Sequence, residues 1–400
     1  MNDLYYPLRS LREGHWFKLI CGASFQHLPA IRNLVLTYTL AGADCIDVAA
    51  DPAVISAAKI GLQAAFDVAE TLPQLLRQTL TPPWLMVSFN DGEDPHFRKA
   101  EFNAAVCPAD CARPCERICP AQAIVFDTQV ANRSFSGVIR DRCYGCGRCL
   151  PVCPIQHIST SSHVSTPDAI APLVLQAGVD AIEIHTQVGR VEDFRRLWLA
   201  IAPWISNLKL VAISCPDGEG LIEYLRTLYD LISPLACPLI WQTDGRPMSG
   251  DIGAGTTRAA VKLGQKVLAA KLPGYVQLAG GTNQHTVTKL RSLGLLNCDR
   301  FSERLTQSSC IAGIAYGSFA RTLLLPILNQ LEMLETDNTT SGNPQPQAQS
   351  ASKACSTSVL GSRPAQSANL EDSPELLSRA LDLASSLVSQ LKLPNLVPNG

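Results

Sequence analysis

The chain has 400 residues, of which 46% are hydrophobic and 17% charged, and its formal net charge is −2. This is enough apolar material for one large or two ordinary domains with a real core, so disorder of the whole chain is excluded. The near-neutral charge provides no basic field to hold nucleic acid or an anionic membrane, and neither partner is expected.

The N-terminal sequence MNDLYYPLRSLREGHWF has no apolar segment before a cleavage site, and the chain has no uninterrupted run of about eighteen apolar residues. Many cysteines have metal-ligand spacing, which indicates a reducing compartment. We therefore expect a soluble, cytoplasmic protein without a membrane span.

Short apolar runs alternate with segments of helical period, which is the pattern of repeated βα units around a parallel sheet. Eight strands are predicted, at residues 17–23, 45–49, 85–89, 181–185, 208–214, 238–243, 275–279 and 311–316. Helices are predicted at residues 28–41, 52–72, 191–205, 220–231, 257–272 and 322–334. The phrase AGADCIDV at 41–48 recurs as AGVDAIEI at 177–184. This repetition favours an α/β fold of the (β/α)8 TIM-barrel type, with an open doubly wound sheet as the alternative.

A segment at residues 91–160 is predicted as an insertion after the third strand, on the barrel face where active sites form. It contains eight of the fifteen cysteines, in two runs that each end in Cys-Pro. The second run, CYGCGRCLPVCP, matches the CxxCxxCxxxCP spacing of a [4Fe–4S] ferredoxin. The first run, CPADCARPCERICP, is one residue longer at two places, which leaves open whether its cluster is a [4Fe–4S] cubane or a [3Fe–4S] cluster.

After each Cys-Pro the chain repeats itself, as CPAQAI at 119–124 and CPIQHI at 153–158. Such symmetry is expected of a bacterial-type ferredoxin with two clusters, in which three thiolates of a run bind one cluster and the fourth binds its neighbour. The predicted ligands are Cys143, Cys146, Cys149 and Cys119 for one cluster, and Cys107, Cys111, Cys115 and Cys153 for the other. Two zinc sites with four cysteines each are the alternative.

The other seven cysteines lie mostly in apolar runs, and core packing explains them better than chemistry does. They are Cys21, Cys45, Cys215, Cys237, Cys298, Cys310 and Cys355.

Polar residues at the strand ends form no catalytic signature. The candidates are Asp47, Asp51, Asn90, Glu183, His185, Asp217, Asp244, Asn283 and Arg321. Glu183 and His185 lie on the same side of one strand, so we interpret them as a mutual pair. The CxxxCxxC motif of radical S-adenosylmethionine enzymes does not follow the first strand.

The last two strands end in LAGGTN and AYGSFAR, where many barrels bind phosphate. A phosphate or flavin site at Gly280, Gly281, Gly317 and Ser318 is therefore a hypothesis, although such turns also serve simply to end strands. No other feature supports a flavin.

The composition beyond residue 335 shifts to Thr, Asn, Ser, Gln, Pro and Ala, which predicts a disordered linker at 336–372. An amphipathic helix is predicted at 373–392, beginning Ser-Pro-Glu. It has little basic charge, so folding back onto the barrel is favoured over docking on a partner. The barrel then consists of residues 1–90 and 161–335.

The ferredoxin-like cysteines, followed by AGVDAIEIHTQVGR and LAGGTNQHT, resemble the light-dependent period family of cyanobacteria over residues 1 to about 335. The resemblance implies an iron–sulfur protein that relays the light-dependent redox state of photosynthetic electron carriers to the circadian clock. It also implies clock oscillator and input proteins as partners, with the eight cysteines as the sensing centre.

Two functions remain open. One is a redox sensor whose barrel is a scaffold, and the other is an oxidoreductase that passes electrons from a ferredoxin or quinol through the clusters to a flavin or a small substrate. The missing catalytic signature favours the sensor, with a ferredoxin or quinone as electron donor.

Overall fold

The computed structural model describes residues 6–22, 27–72, 80–92, 98–119, 121–130, 133–140, 142–143, 145, 147–162, 167–246, 255–296, 307–340 and 369–392. The strands are β1 (Trp16–Gly22), β2 (Cys45–Ala49), β3 (Trp84–Asn90), β4 (Arg98–Glu101), β5 (Ile124–Val130), β6 (Arg133–Val138), β7 (Ser159–Ser162), β8 (Ala181–His185), β9 (Leu210–Pro216), β10 (Leu239–Asp244), β11 (Gly274–Ala279) and β12 (Gln307–Tyr316). The helices are α1 (Tyr6–Glu13), α2 (Leu28–Leu40), α3 (Pro52–Thr71), α4 (Pro114–Ile118), α5 (Cys149–Val152), α6 (Pro167–Leu175), α7 (Val191–Ile201), α8 (Leu221–Ile232), α9 (Thr257–Ala269), α10 (Thr286–Ser292), α11 (Ser318–Thr340) and α12 (Pro374–Lys392).

Eight strands form a closed barrel in the spatial order β1, β2, β3, β8, β9, β10, β11 and β12, and β1 pairs with β12 to complete the ring. All eight neighbouring pairs are parallel. The predicted (β/α)8 barrel is therefore confirmed. Each predicted barrel strand overlaps an observed one.

The repeated AGxDxIxx phrase has a structural role at both of its occurrences. Asp44 accepts a hydrogen bond from the N–H of Phe17 at 2.7 Å, and Asp180 accepts one from Leu85 at 3.0 Å. Each aspartate thus satisfies a backbone donor near the start of the neighbouring strand, which would otherwise lie unpaired at the bottom of the barrel. The repeat therefore fixes the strand register twice.

The helix prediction at 191–205 extends too far. α7 ends at Ile201, and residues 202–207 form a 3-10 helix that begins with Ala202-Pro203. Pro203 has no N–H to continue the α-helical ladder, so the turn tightens at that point. The short helices α1, α6 and α10 were not predicted, because each is too brief to show a clear helical period.

The barrel interior is layered. An apolar cluster fills its lower end, with Trp16, Cys45, Trp84 and Ala181 contributed by the first residues of four strands. Leu11 of α1 belongs to the same cluster and closes the bottom. The larger core packs between the outer faces of the strands and the surrounding helices.

The inserted module leaves the barrel after β3 and returns before β8. It is built from two antiparallel pairs, β4 with β7 and β5 with β6, together with the short helices α4 and α5. Its core is a separate cluster of buried side chains, in which cysteines pack against alanine and isoleucine residues.

The C-terminal helix folds back onto the barrel, as predicted. Its apolar face is buried, and its neighbours include α11 and α2. Lys392, at its end, binds the buried carboxylate of Asp44. The helix is therefore part of the globular domain.

The predicted linker at 336–372 is wrong at both ends. Helix α11 continues through Thr340, and Leu370–Asp372 form a 3-10 turn in which Leu370 is fully buried and Glu371 pairs with Arg32 of α2. Composition does not reveal these long-range contacts, which order the segment just before α12. Residues 341–368 lie outside the described part of the chain.

Candidate metal centre

Two cavities lie inside the module, and cysteines from both runs line each of them. The first is lined by Cys107, Cys111, Cys115 and Cys153. The second is lined by Cys119, Cys143 and Cys149. The structure thus brings together the sets that the crossover predicts, apart from Cys146, which lies outside the described residues. Metal binding by these cysteines stays a prediction.

The turns after the two Cys-Pro pairs are alike. Gln122 and Gln156 both have positive φ, 48° and 50°, and their N–H groups donate to the carbonyls of Cys119 and Cys153 at 3.2 and 3.1 Å. In consequence, the N–H of Ala123 points at Cys119 Sγ (3.2 Å) and that of His157 at Cys153 Sγ (3.3 Å). The sequence repeat is therefore also a repeat of backbone conformation.

These amides favour a charged sulfur. Burial raises the pKa of the Cys153 thiol, but backbone hydrogen bonds from residues 155–158 outweigh it and leave the pKa below its ordinary value. At Cys107 and Cys115, burial raises the pKa. A bound cation would reverse that preference, because a metal-ligating thiol is deprotonated.

The donor sets fit an iron–sulfur cluster. Thiolate is the ordinary protein ligand of such clusters, and amide hydrogen bonds to sulfur are among the features that tune them. When bound, a cluster supplies reversible one-electron chemistry. The chain supplies thiolates, directed N–H groups and a largely apolar lining.

A buried lysine beside the second cavity was missed by sequence reasoning. Lys99 of β4 donates from Nζ to the carbonyl oxygen of Cys143 at 2.5 Å, and the next residue, Ala100, donates its N–H to Cys143 Sγ at 3.4 Å. A lone lysine in FRKAEF gives no sequence signal, because its contact is 44 residues away.

The second cavity lies next to the barrel. Arg142, which precedes Cys143, pairs with Glu332 of α11, and Gln122 accepts a hydrogen bond from Asn329 Nδ2 at 3.0 Å. His27 Nδ1 lies 3.7 Å from the same Glu332 carboxylate. Two cysteine-bearing segments of the module therefore contact the same helix of the barrel.

Above its apolar bottom layer, the barrel is filled by a polar network. Lys18 of β1 is fully buried; it lies 2.9 Å from Asp47, pairs with Glu183 and donates to Gln242 at 3.1 Å. His185 Nε2 lies 3.1 Å from Glu183 Oε1, so the predicted pairing is observed. Lys18 was missed, although a single lysine within the apolar strand WFKLICG is itself a signal.

The other strand-end candidates have structural partners. Asp51 caps α3, Asn90 accepts from the N–H of Gly92, and Asp217 pairs with exposed Lys266. Asp244 accepts from Ser214, Asn283 bonds Thr256 and Thr257, and Arg321 donates to the carbonyl of Cys21. Each of these residues therefore has a hydrogen-bond or ion-pair partner within the fold.

The glycines at the ends of β11 and β12 are explained by close backbone packing. Gly280 and Gly281 have φ of 61° and 98°, and a Cβ at either position would lie 2.9 Å from backbone atoms of Gly245, Arg246 or Thr256. A Cβ at Gly317 would make only ordinary van der Waals contacts with Ile20, and Ser318 accepts a hydrogen bond from Arg321. Phosphate binding there stays a prediction.

Of the remaining cysteines, Cys21, Cys45, Cys215 and Cys310 are buried as packing predicts, whereas Cys237 is half-buried. Cys310 is also disulfide-bonded, which packing did not predict. Cys298 and Cys355 lie outside the described residues.

Fold and site together define a class: a parallel (β/α)8 barrel that carries, in a module after its third strand, two cavities lined by cysteine. A family model for the "LdpA Fe-S cluster-binding domain" matches residues 107–164, and one for the "Light dependent period A C-terminal domain" matches residues 173–390. The chain is 51% identical over 336 residues to "Light dependent period A" of Synechococcus elongatus, across 82% of this chain and 88% of that protein. The chain belongs to the Light dependent period A family and carries its iron–sulfur cluster-binding domain.

Among solved structures, the tryptophan synthase α subunit of Legionella pneumophila is similar at 12% identity with a TM-score of 0.37, over 98% of this chain and 99% of that one. (S)-3-O-geranylgeranylglyceryl phosphate synthase of Thermoplasma acidophilum is similar at 12% identity with a TM-score of 0.27, over 80% and 92%. Within the described ranges, no helix combines the length and apolar character needed to cross a membrane.

Proposed function

We propose that this chain is an iron–sulfur redox sensor that relays the light-dependent redox state of photosynthetic electron carriers to the circadian clock. The observation that carries the proposal is the pair of cysteine-lined cavities in the iron–sulfur module. Arg142, which precedes Cys143 of the second cavity, pairs with Glu332 of barrel helix α11. The family membership supports the link to light.

Each cavity would hold one [4Fe–4S] cluster, through the ligand sets given above. The proposed electron donor is a ferredoxin or a quinone. The proposed recipients of the signal are oscillator and input proteins of the clock.

The contacts of α11 provide a route for the signal. A cluster that gains an electron adds one negative charge beside Arg142, and this charge competes with Glu332 for the guanidinium. Two residues before Glu332 on the same helix, Gln330 accepts a hydrogen bond from Arg379 of α12 at 3.2 Å. The large apolar side chains of Met333 and Leu334 are exposed on α11. A change in the Arg142–Glu332 pair would therefore reach a surface that another protein can contact.

Anaerobic purification with iron and sulfide analysis, and electron paramagnetic resonance before and after reduction, tests the proposal. We expect iron and sulfide for two clusters per chain, and a signal that appears or disappears on one-electron reduction. Zinc in place of iron, or clusters that no reductant changes, would contradict it. A bound flavin, or turnover of an electron acceptor beyond cluster oxidation, would instead favour the oxidoreductase.

The route through α11 is tested by hydrogen exchange of the oxidised and reduced protein. We expect reduction to change exchange in α11 and α12, and Glu332→Gln to abolish most of that change. Glu223→Gln is the control, because Glu223 pairs with Arg226 on the exposed surface of α8, far from the module in sequence. Equal exchange in both redox states would rule out this route.

A further inference from the structure

The first cysteine-lined cavity belongs to the module alone, whereas the second shares a wall with a pocket that reaches the barrel. All residues that line the first cavity lie between Phe102 and Ile158. Ala121 lines the second cavity and also the neighbouring pocket, whose lining includes Leu34 of α2 and Leu325 of α11. Among the described residues, therefore, only the module provides the surface through which another protein approaches the first cavity.

The sulfurs of the first cavity are also nearer to solvent. Three of its four cysteines are half-buried and one is buried. Among the described cysteines of the second cavity, two are buried and one is half-buried. An external electron carrier can therefore approach the sulfurs of the first cavity more closely than those of the second.

Exposed apolar residues lie around the first cavity. Val106, which precedes Cys107, is 55% exposed, and Ile155, which lines the cavity from the other half of the module, is 45% exposed. Four smaller apolar residues on the same two segments are exposed as well, namely Pro108, Ala109, Ala112 and Pro154. We call these six residues the apolar rim.

The size and the charge of the apolar rim restrict what can bind there. Residues 104–112 and 153–158 contain one Asp and one His and no Lys, Arg or Glu, so the contact is apolar rather than ionic. Exposed apolar patches mark contact sites for other molecules. A stable dimer needs about 20–30 residues from each partner, whereas electron-transfer encounters use small interfaces. The rim therefore fits a transient protein partner and not a permanent second copy of the chain.

We propose that the apolar rim docks a small one-electron carrier protein and that electrons enter the molecule at the first cavity. The proposal rests on the function proposed above, since it requires a cluster held by the four cysteines of that cavity. In the docked complex the reduced carrier loses one electron and the cluster gains it. No bond to the chain forms or breaks, and the oxidised carrier dissociates.

Anaerobic stopped-flow reduction of the purified holoprotein by a reduced plant-type [2Fe–2S] ferredoxin tests the docking site. In the double variant Val106→Gln, Ile155→Gln we expect the second-order rate constant to fall by roughly ten-fold or more, because two amides would be buried in the complex. Reduction by dithionite, a small ion that needs no docking surface, should keep the wild-type rate. Phe135→Gln is the matched control, since Phe135 is an exposed apolar residue of the module that lines neither cavity, and both reductants should act on it at the wild-type rate.

Hydrogen exchange of the holoprotein with a gallium-substituted ferredoxin, which cannot pass an electron, locates the contact. We expect slower exchange at residues 104–112 and 153–158 in the complex. Protection elsewhere without protection there would overturn the inference. If the double variant loses iron, Val106→Ser alone should still lower the rate with ferredoxin by about three-fold, and an unchanged rate would count against the rim.

Equal rates with ferredoxin in the double variant and the wild type, or an equal loss of the dithionite rate, would overturn the inference. A wild type that is dimeric in sedimentation while the double variant is monomeric would assign the rim to a second copy instead. Fast reduction by a quinol with none by ferredoxin would also overturn it. A wild type without reducible clusters refutes the proposed function, whereas clusters that ferredoxin reduces regardless of Val106 and Ile155 refute this inference alone.

Discussion

Cysteine sulfurs in the module are positioned chiefly by the backbone that follows them. The turns at Gln122 and Gln156 have the same positive φ and direct an N–H at the preceding cysteine sulfur in each half. If these sulfurs bind clusters as proposed, the two halves would share one means of tuning, because an amide hydrogen bond to a ligand sulfur favours the reduced form.

The cavity linings predict the effect of removing single cysteines. Cys149→Ser should remove the spectral signature of one cluster and Cys115→Ser that of the other, because the two residues line different cavities. Iron analysis and electron paramagnetic resonance of anaerobically purified variants measure this. The control is Cys237→Ser, a half-buried cysteine outside the module whose pKa burial raises to about 11. Loss of both clusters in either module variant would contradict two separate sites.

Asp91, at the barrel rim, predicts a pH dependence of stability. Burial raises its pKa to about 6, although the Thr186 hydroxyl and the Arg190 guanidinium partly oppose this. Since the folded state binds this proton more tightly than the unfolded state, the contribution of Asp91 to stability is greatest below pH 4 and is lost as the pH rises to about 6.

The size of this effect is on the order of 3 kcal/mol, from a shift of about two pKa units. Urea unfolding from pH 4.5 to 7.5 should show the free energy of unfolding of the wild type falling relative to Asp91→Asn. Asp217→Asn, on an exposed loop, is the control. A pH-independent difference between the wild type and Asp91→Asn would show that Asp91 does not titrate in this range.

At the scale of elements, the sequence predicted those whose stability is local or periodic. β2 and β8 have the predicted bounds, because each is a short apolar run that follows a glycine-ended helix. The grouping of the described cysteines around two cavities also follows from a local spacing motif, whereas their assignment as cluster ligands stays a prediction.

Contacts between distant segments could not be predicted. The Arg142–Glu332 pair joins residues 190 positions apart, and the Lys18–Glu183 pair joins residues 165 apart. No periodicity connects such residues, so the module–barrel contact and the buried network became visible only in the folded chain. The order at 369–372 was missed for the same reason.

Helix α12 is predicted to contribute several kcal/mol to the stability of the barrel. Leu377 is fully buried, so Leu377→Ala should lower the free energy of unfolding by about 2–5 kcal/mol. Leu199 of α7 is 66% exposed, and Leu199→Ala should change the free energy of unfolding by less than about 0.5 kcal/mol. Urea denaturation followed by circular dichroism compares them, and equal effects would mean that α12 is not docked in solution.

At the scale of the whole molecule, barrel and module have separate cores. The buried cluster of the module contains Cys115, Cys143 and Cys149, whereas the barrel clusters contain no cysteine of the two runs among the described residues. Ligand-dependent stability should therefore be confined to the module.

Removal of iron is predicted to unfold the module and leave the barrel folded. After treatment with a chelator, limited proteolysis should cut within residues 98–162, while the two flanking fragments stay associated and most of the far-UV circular dichroism persists. The iron-loaded protein, treated in parallel, should resist cleavage there. Cleavage throughout the chain after iron removal would show that the barrel depends on the module.

The place of the insertion also bears on biosynthesis. β3 and β8 are hydrogen-bonded neighbours, so the segment inserted between them begins and ends at adjacent positions on the barrel. During synthesis, three barrel strands emerge first and are followed by all eight cysteines of the two runs. The other five barrel strands are made afterwards. A cluster could therefore be inserted into the module before the barrel is complete. Closure of the barrel would then fix the positions of the two connections that join the module to β3 and β8.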